Sequence, residues 1–599
     1  MKYYLLMFEF IIMGEFFMYV KPKTLSILLA ATFAASMAWG TAPKNVSQTF
    51  ATKAEASVKA PLQAKAPAYT GKALQNTRNG MVQGYVQNQA LIWKGIPYGQ
   101  AERWKAPTDV KAWNGIFDAT KPGPVAIQGA MGKTKGSEDC LNLDIFHPNT
   151  KEKNLPVLFF IHGGNNQSGA ADQVNWQKFA EREHVVAISI NHRLGALGFN
   201  PLPALKHGTA EENSGNFAVL DFVRGLDWTK ENIASFGGNA NNITIAGFSS
   251  GGRDVMALLI SPIAKGKFQK AISFSGGMTT SDTSWAQQIF AQHFASLVVT
   301  DGIKKSDIDA AKWLLQDTPE VRDYLQNLSA DRIAAAFGHA GIRMSAFPHL
   351  YNDGIVLEKD AFATKNYNQV PLIMTTGTDE FSLYTRTDSY FSPSVKDGSI
   401  FTDPEKHKEF AFAKTYGSRL YELFNAEESA VTMFNHYGKA PIYTMKIAYG
   451  NNPKLVGEKT AFTSGSIHGI WIPFATGIPT ATTAGYPAGS FDNPGALALT
   501  AQIQDYLGNF MRTGNPNGKG LVTWKKWTSA TKGPSQLYVN SDGTKVNIHQ
   551  EYGRTTYQSI LDEIVRDTSI TENAKEELIK HVLSGRWFSK GLDTFFHNN

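Results

Sequence analysis

Residues 243–259 read ITIAGFSSGGRDVMALL, and the fold is decided there. Ile243 to Ala246 is a short β-like stretch, Gly247-Phe248-Ser249-Ser250-Gly251 matches G-x-S-x-G, and Asp254 to Leu259 can begin a helix. A serine on the sharp turn between a strand and a helix is held on strained backbone with its hydroxyl presented to a substrate. The residues around it must be small, because in so tight a turn flanking side chains would collide with neighbouring backbone. The helix that follows aims its first N–H groups at the reacting centre and so favours developing negative charge. Taken alone, the pentapeptide is equally compatible with a serine in a glycine-rich turn.

Working outward, Gly80 to Val86 and Ala90 to Lys94 read as short strands leading into Gly95-Ile96-Pro97-Tyr98. Pro156 to Ile161 (PVLFFI) ends at His162-Gly163-Gly164, and Val185 to Ile190 (VVAISI) ends at Asn191-His192-Arg193. Continuous apolar runs bounded by turn residues suit parallel strands covered on both faces. Asn216 to Ser235 carries Val219, Leu220, Val223, Leu226 and Ile233 near helical spacing. Strand and helix alternate, so the expected class is α/β, a mostly parallel sheet with helices on both faces.

His162-Gly163-Gly164-Asn165 follows a strand and precedes the serine turn. Such an HGGG-like turn supplies backbone N–H groups to an oxyanion hole, together with the N–H of the residue after the nucleophile. Two such turns, in this order and each after a strand, favour catalysis over chance. The order in this arrangement is serine, acid, histidine. Val370 to Thr376 reads as a strand ending in Gly377-Thr378-Asp379-Glu380, which places two carboxylates just past its end. Gly465-Ser466-Ile467-His468-Gly469-Ile470 sets a histidine among small residues, a weak signal by itself.

Together these residues resemble the type B carboxylesterases, the family that includes cholinesterases and the non-catalytic neuroligins. The resemblance runs in order from about Gly80 to Trp527. Gly95-Ile96-Pro97-Tyr98, Arg103 and Pro107 resemble GIPYA…R…P, and Ser137 to Leu143 (SEDCLNL) resembles SEDCLYLN. Asn191 to Gly195 (NHRLG) with Gly198-Phe199 resembles NYRLG…GF. Asn232-Ile233 with Phe236-Gly237-Gly238 resembles NI..FGGDP, and Phe510 to Asn517 resembles F…TGNPN. The resemblance implies the α/β-hydrolase fold, with Ser249 as nucleophile, Glu380 as acid, His468 as base and the N–H groups of Gly164, Asn165 and Ser250 as the oxyanion hole. Asp379 is the rival for the acid role, and Ser275 matches a family serine near the triad.

The departures are specific. Asn165 stands where the family usually has a third glycine, Asn166 where an aromatic follows, Ser250 where alanine is usual, and Phe381 where glycine follows the acid. Asn tolerates φ > 0 better than most residues, so Asn165 is compatible with an oxyanion turn. Cys140 matches half of a family disulfide, yet its partner position near Ala126-Ile127-Gln128 has no cysteine. The loop after Gln128 (GAMGKTKGSED) carries no tryptophan, whereas in cholinesterases it supplies the aromatic wall that cation–π binding of choline needs. That argues against a cholinesterase.

Composition sets the outer limits. The chain has 599 residues, 42% of them hydrophobic, and a net charge of +6 with no dense Lys/Arg run, which argues against a nucleic-acid partner. One cysteine excludes an intramolecular disulfide. From Met18 the chain reads MYVKPKTLSILLAATFAASMAWGTAPK: Lys21 and Lys23, an uncharged run from Thr24 to Trp39, then Ala38-Trp39-Gly40. This predicts a signal peptide cleaved after Gly40 and a periplasmic or secreted enzyme, with 1–17 read as an early-called start. The run is short for a membrane span, although an uncleaved anchor is the competing reading. Residues 41–70, rich in Ala, Lys, Pro and Ser, read as a linker ahead of a single catalytic domain over 71–599. Ser569-x-x-Glu572 has the form of a capping box before a helical stripe of Ile570, Ala574, Leu578, Ile579 and Val582.

The reading is therefore a serine esterase acting on a small-molecule ester, with no cofactor and no metal required. A non-catalytic binding protein on the same scaffold, and an amidase or lactonase with the same triad, are the alternatives.

Overall fold

The structure, a computed structural model, describes residues 65–130, 132–479 and 485–598. The expected signal peptide and most of the expected linker lie outside them. Fourteen strands follow in chain order: β1 (Leu74–Asn76), β2 (Met81–Gln83), β3 (Tyr85–Gln87), β4 (Ala90–Pro97), β5 (Ile116–Asp118), β6 (Asn142–Pro148), β7 (Leu155–Ile161), β8 (Val186–Ile190), β9 (Gly238–Phe248), β10 (Lys270–Phe274), β11 (Leu372–Gly377), β12 (Ile442–Ile447), β13 (Pro534–Ser541) and β14 (Val546–Tyr552). Eleven of them form one sheet in the order β14-β13-β12-β11-β10-β9-β7-β8-β6-β4-β3, and β1, β2 and β5 form a small second sheet. The run from β13 through β8 is parallel, and both margins are antiparallel.

The apolar runs are continuous because both faces are covered. Val157, Phe159 and Ile161 of β7 enter one core with helix Phe217–Asn232 and helix Ser250–Leu259. Leu158 and Phe160, on the opposite face, enter a second core with helices Gln177–Glu183 and Pro494–Thr513. The same alternation holds in β9, where Ile243 and Ile245 face one core and Ala246 and Phe248 the other.

Three expectations are corrected. The stretch from Gly80 to Val86 is two strands in two sheets, broken at Gly84, where a Cβ would lie 2.3 Å from Ile92 O. The fold reaches into the last residues of the expected linker: Tyr69 is 3% exposed, and its hydroxyl donates to Thr150 O at 2.9 Å. The cap of helix Glu572–Glu577 is Thr571, whose side chain accepts from Ala574 N, while Ser569 Oγ donates to Asp567 instead. Leu578, Ile579 and Val582 of the expected stripe do pack, in a third core with helix Pro404–Glu422 and Phe381. In that core Phe588 meets the Phe381 ring edge-on at 5.3 Å.

Candidate active site

Ser249 sits at φ 57°, ψ −119°. Such backbone costs a non-glycine residue about 1–3 kcal/mol and persists only where its surroundings hold it. Here Ser249 N donates to Phe274 O at 2.9 Å, and Ser249 O accepts from Arg253 N at 3.0 Å. The flanking glycines are obligatory: a Cβ on Gly247 would lie 2.1 Å from Gly251 O, and one on Gly251 would lie 2.2 Å from Ile161 O. The helix begins at Ser250, directly after the serine and earlier than the expected Asp254. Gly251 and Gly252, which look like turn residues, are its first turn pressed against β7 and Gly276.

The second turn lies at the end of the neighbouring strand β7. Gly164 has φ 118°, and a Cβ there would lie 2.0 Å from Ser168 O; Asn165 and Asn166 follow at φ 58° and 55°. Two consecutive left-handed asparagines replace the glycine and aromatic of the resemblance, consistent with their tolerance of that region. Among the described residues, the backbone N–H groups of Gly164 and Asn165 meet no acceptor. Ser250 N–H is in the first helical turn, where no intrahelical acceptor exists. The loop itself is fixed, since Asn165 Nδ2 donates to Gln167 Oε1 at 2.8 Å, Gln167 Oε1 also accepts from Ala340 N at 3.0 Å, and Gly195 N donates to Asn166 O at 2.6 Å.

Glu380 and His468 meet through Oε2 and Nδ1, both side chains almost wholly buried. The other carboxylate oxygen, Oε1, accepts from Gly377 N and Ser275 Oγ at 2.6 Å each, and from Thr376 Oγ1 at 3.3 Å. Ser275 thus supports the Glu380 carboxylate. His468 Nε2 is buried with no hydrogen-bond partner among the described residues. Asp379 points elsewhere: Oδ2 accepts from Ser466 N at 3.0 Å, and Oδ1 pairs with Lys414 Nζ at 2.9 Å. It anchors the loop that carries the histidine. Trp471, three residues beyond His468, clamps the same loop by stacking on Phe274 at 3.9 Å and meeting Phe248 at 5.4 Å.

The departure Asn166 is paired with the buried Asp254. Asn166 Nδ2 donates to Asp254 Oδ1 at 2.9 Å, tying the glycine turn to the helix that follows Ser249. Burial pushes the Asp254 carboxyl up to about 7, opposed by the Asn166 hydrogen bond and the Arg253 guanidinium. Arg253 donates to Thr279 O at 2.9 Å and lies 4.1 Å from the Trp587 ring, so the C-terminal segment backs this helix. Beneath the glycine turn, His162 stacks on His192 at 4.5 Å, and burial lowers both imidazoles, His162 to about 4. Phe381 fills the third core and takes Ser418 Oγ as acceptor for its N–H at 3.1 Å. Cys140 is a buried free thiol, pushed up by burial.

Sequence reasoning did not single out Asp254, Lys414, Tyr384 or Tyr421. Tyr384 alone had a readable signal, standing four residues past Glu380 on the helix that follows it. The others depend on contacts between distant segments.

Residues 72–417 match the family model described as the carboxylesterase family. The para-nitrobenzyl esterase of Bacillus subtilis (strain 168) is 29% identical over 503 residues, covering 79% of this chain and 95% of that protein. Carboxylesterase 1D of Rattus norvegicus is 28% identical, covering 76% of this chain and 86% of its own length. A solved para-nitrobenzyl esterase superposes with a TM-score of 0.62 at 26% identity, covering 80% of this chain and 98% of its own. A carboxylesterase of Geobacillus stearothermophilus gives 0.63 at 25% identity, covering 80% and 98%. With its family match, its α/β-hydrolase sheet and the two turns in their places on that sheet, the chain belongs to the carboxylesterase family.

Proposed function

We propose that the protein is a serine carboxylesterase that hydrolyses small-molecule carboxylic esters through an acyl-enzyme on Ser249. Glu380, acceptor-only when ionised, holds the His468 proton on Nδ1 and leaves Nε2 free as a base. Nε2 takes the Ser249 proton as Oγ adds to the ester carbonyl. The carbonyl oxygen becomes an oxyanion facing the unpaired N–H groups of Gly164, Asn165 and Ser250, each contributing on the order of 3 kcal/mol. Collapse expels the alcohol with the proton from His468, and water repeats the cycle on the acyl-enzyme.

The Glu380–His468 contact carries this reading, because it leaves the base nitrogen buried and unpartnered beside the strained serine turn. The test is hydrolysis of p-nitrophenyl acetate and butyrate by purified protein beside Ser249→Ala. Serine-dependent turnover is expected; a Ser249→Ala variant with near-normal turnover refutes the assignment. Panels of amides and lactones separate the ester reading from the amidase and lactonase ones.

Export to the periplasm or medium, with cleavage after Gly40, is part of the proposal. Its support is the residue pattern from Met18 to Lys44, and N-terminal sequencing of the exported protein tests it. No helix among the described residues is long and apolar enough to cross a membrane.

A further inference from the structure

Helix Ser382–Thr387 starts two residues after Glu380 and turns Tyr384 back over the site. The Tyr384 phenol lies against the Ser249 side chain, and the nearby buried Tyr421 hydroxyl has no hydrogen-bond partner among the described residues. Its ring lies 5.8 Å from the His468 imidazole, and Tyr421, at the end of helix Pro404–Glu422, stacks on that imidazole at 5.6 Å and 22°. The two tyrosine rings are 6.1 Å apart. Phe248 also meets His468, at 4.8 Å, but has no hydroxyl. A polar group that reaches Ser249 while flanking the imidazole stands on the side of Ser249 where His468 returns its proton. In the proposed reaction that is where the ester's alkoxy oxygen must lie, since it takes the proton from Nε2. The oxyanion is served by other groups, the N–H donors of Gly164, Asn165 and Ser250.

We infer that Tyr384 is a catalytic residue whose hydroxyl donates a hydrogen bond to the leaving alkoxy oxygen during acylation. The inference rests on the acyl-enzyme reading above. As the tetrahedral intermediate collapses, the C–O bond to the alcohol breaks and its electron pair stays on the alkoxy oxygen. The proton that neutralises this oxygen comes from His468 Nε2. Tyr384 keeps its own proton throughout and only shares it. Burial raises the Tyr384 phenol, and the charge of Glu380 acts in the same direction, so it stays neutral and a donor. Burial likewise raises the Tyr421 phenol, so it too keeps its proton beside the imidazole. The help matters in proportion to the charge that builds on the leaving oxygen. Alkyl esters, which expel a basic alkoxide, therefore need it more than activated aryl esters, which expel a stable phenolate.

The test compares ethyl butyrate with p-nitrophenyl butyrate in wild type, Tyr384→Phe and Ser249→Ala. Both substrates form the same butyryl-enzyme, so their kcat/KM values differ only in acylation. Tyr384→Phe is expected to lower kcat/KM for the ethyl ester about 10- to 100-fold more than for the p-nitrophenyl ester. Equal losses on the two substrates, or no loss on either, overturn the assignment, since a packing role does not distinguish leaving groups. Ser249→Ala retaining turnover on both esters is a separate result, one that removes the acyl-enzyme reading itself.

Discussion

Glu380→Gln and Asp379→Asn are the pair of substitutions that decide which carboxylate serves the imidazole. Three donors converge on Glu380 Oε1: Gly377 N and Ser275 Oγ at 2.6 Å and Thr376 Oγ1 at 3.3 Å. A glutamine at 380 must keep its oxygen there, because its NH2 would place donors against a backbone N–H that cannot turn. The NH2 then faces His468 Nδ1, which can only accept. The imidazole is forced to carry its proton on Nε2, the nitrogen that has to take the Ser249 proton. In serine triads an orienting acid changed to its amide costs about 10⁴ in kcat by this route, or about 5.5 kcal/mol of transition-state stabilisation. Asp379→Asn leaves that tautomer untouched. It keeps an oxygen for Ser466 N and loses the Lys414 ion pair, where both side chains are mostly buried. The expected result is about 1–3 kcal/mol off stability and less than a tenfold loss of activity. The assay is kcat/KM for p-nitrophenyl butyrate, with urea unfolding of both variants. A loss of several decades in Asp379→Asn, with Glu380→Gln close to wild type, refutes the reasoning.

Three further outcomes are expected. Gly251→Ala places a Cβ 2.2 Å from Ile161 O, so it abolishes turnover and lowers the Tm; a variant with wild-type kcat and Tm would contradict the geometry of the turn. Trp471→Ala removes a ring stacked 3.9 Å from Phe274 and is expected to cost about 3–5 kcal/mol in urea unfolding, with a fall in kcat as the His468 loop loosens. Asp254 holds a proton in the folded state up to about pH 7 that the unfolded chain releases near pH 4, so this group lowers stability as pH rises from about 4 to 7 and leaves it flat above. Asp254→Asn keeps an acceptor for Asn166 and removes that slope; it should gain on wild type between pH 5 and 7.5 by up to about 4 kcal/mol, and a pH-independent difference between the two would count against the raised carboxyl.

What could be read from the chain was whatever one strand and the turn after it determine. The serine turn, the glycine turn and the strand ahead of Glu380 each combine a run of residues buried on both faces with a turn that only small residues permit. Both signals are local. Strands β10 and β12 escaped because they carry polar residues that the fold satisfies from other segments. Ser273 of β10 donates to Gly252 O at 3.1 Å, and Thr444 of β12 to Ser535 O at 2.6 Å. The early helix start at Ser250 escaped for a related reason, since glycines 251 and 252 read as turn until the strand they press against is known. Ser569 looked like a cap because it precedes Glu572 by three residues, but Asp567 captures its hydroxyl and leaves the cap to Thr571.

The choice between Asp379 and Glu380 shows why local reading stops where it does. Both follow β11, both are carboxylates, and spacing cannot separate them. The separation is made by segments far along the chain: Ser275 from the end of β10 and His468 claim Glu380, whereas Lys414 and the Ser466 backbone claim Asp379. The departures from the family pattern follow the same rule. Asn166 standing for an aromatic looks like damage to the oxyanion turn when read alone. In the fold it is one half of a hydrogen bond whose other half, Asp254, lies on the helix that begins directly after the nucleophile. Asn166 makes sense only with Asp254, and the pair is a buried polar tether between the glycine turn and that helix. The Asn166–Asp254 hydrogen bond therefore joins the two turns on which the proposed chemistry depends.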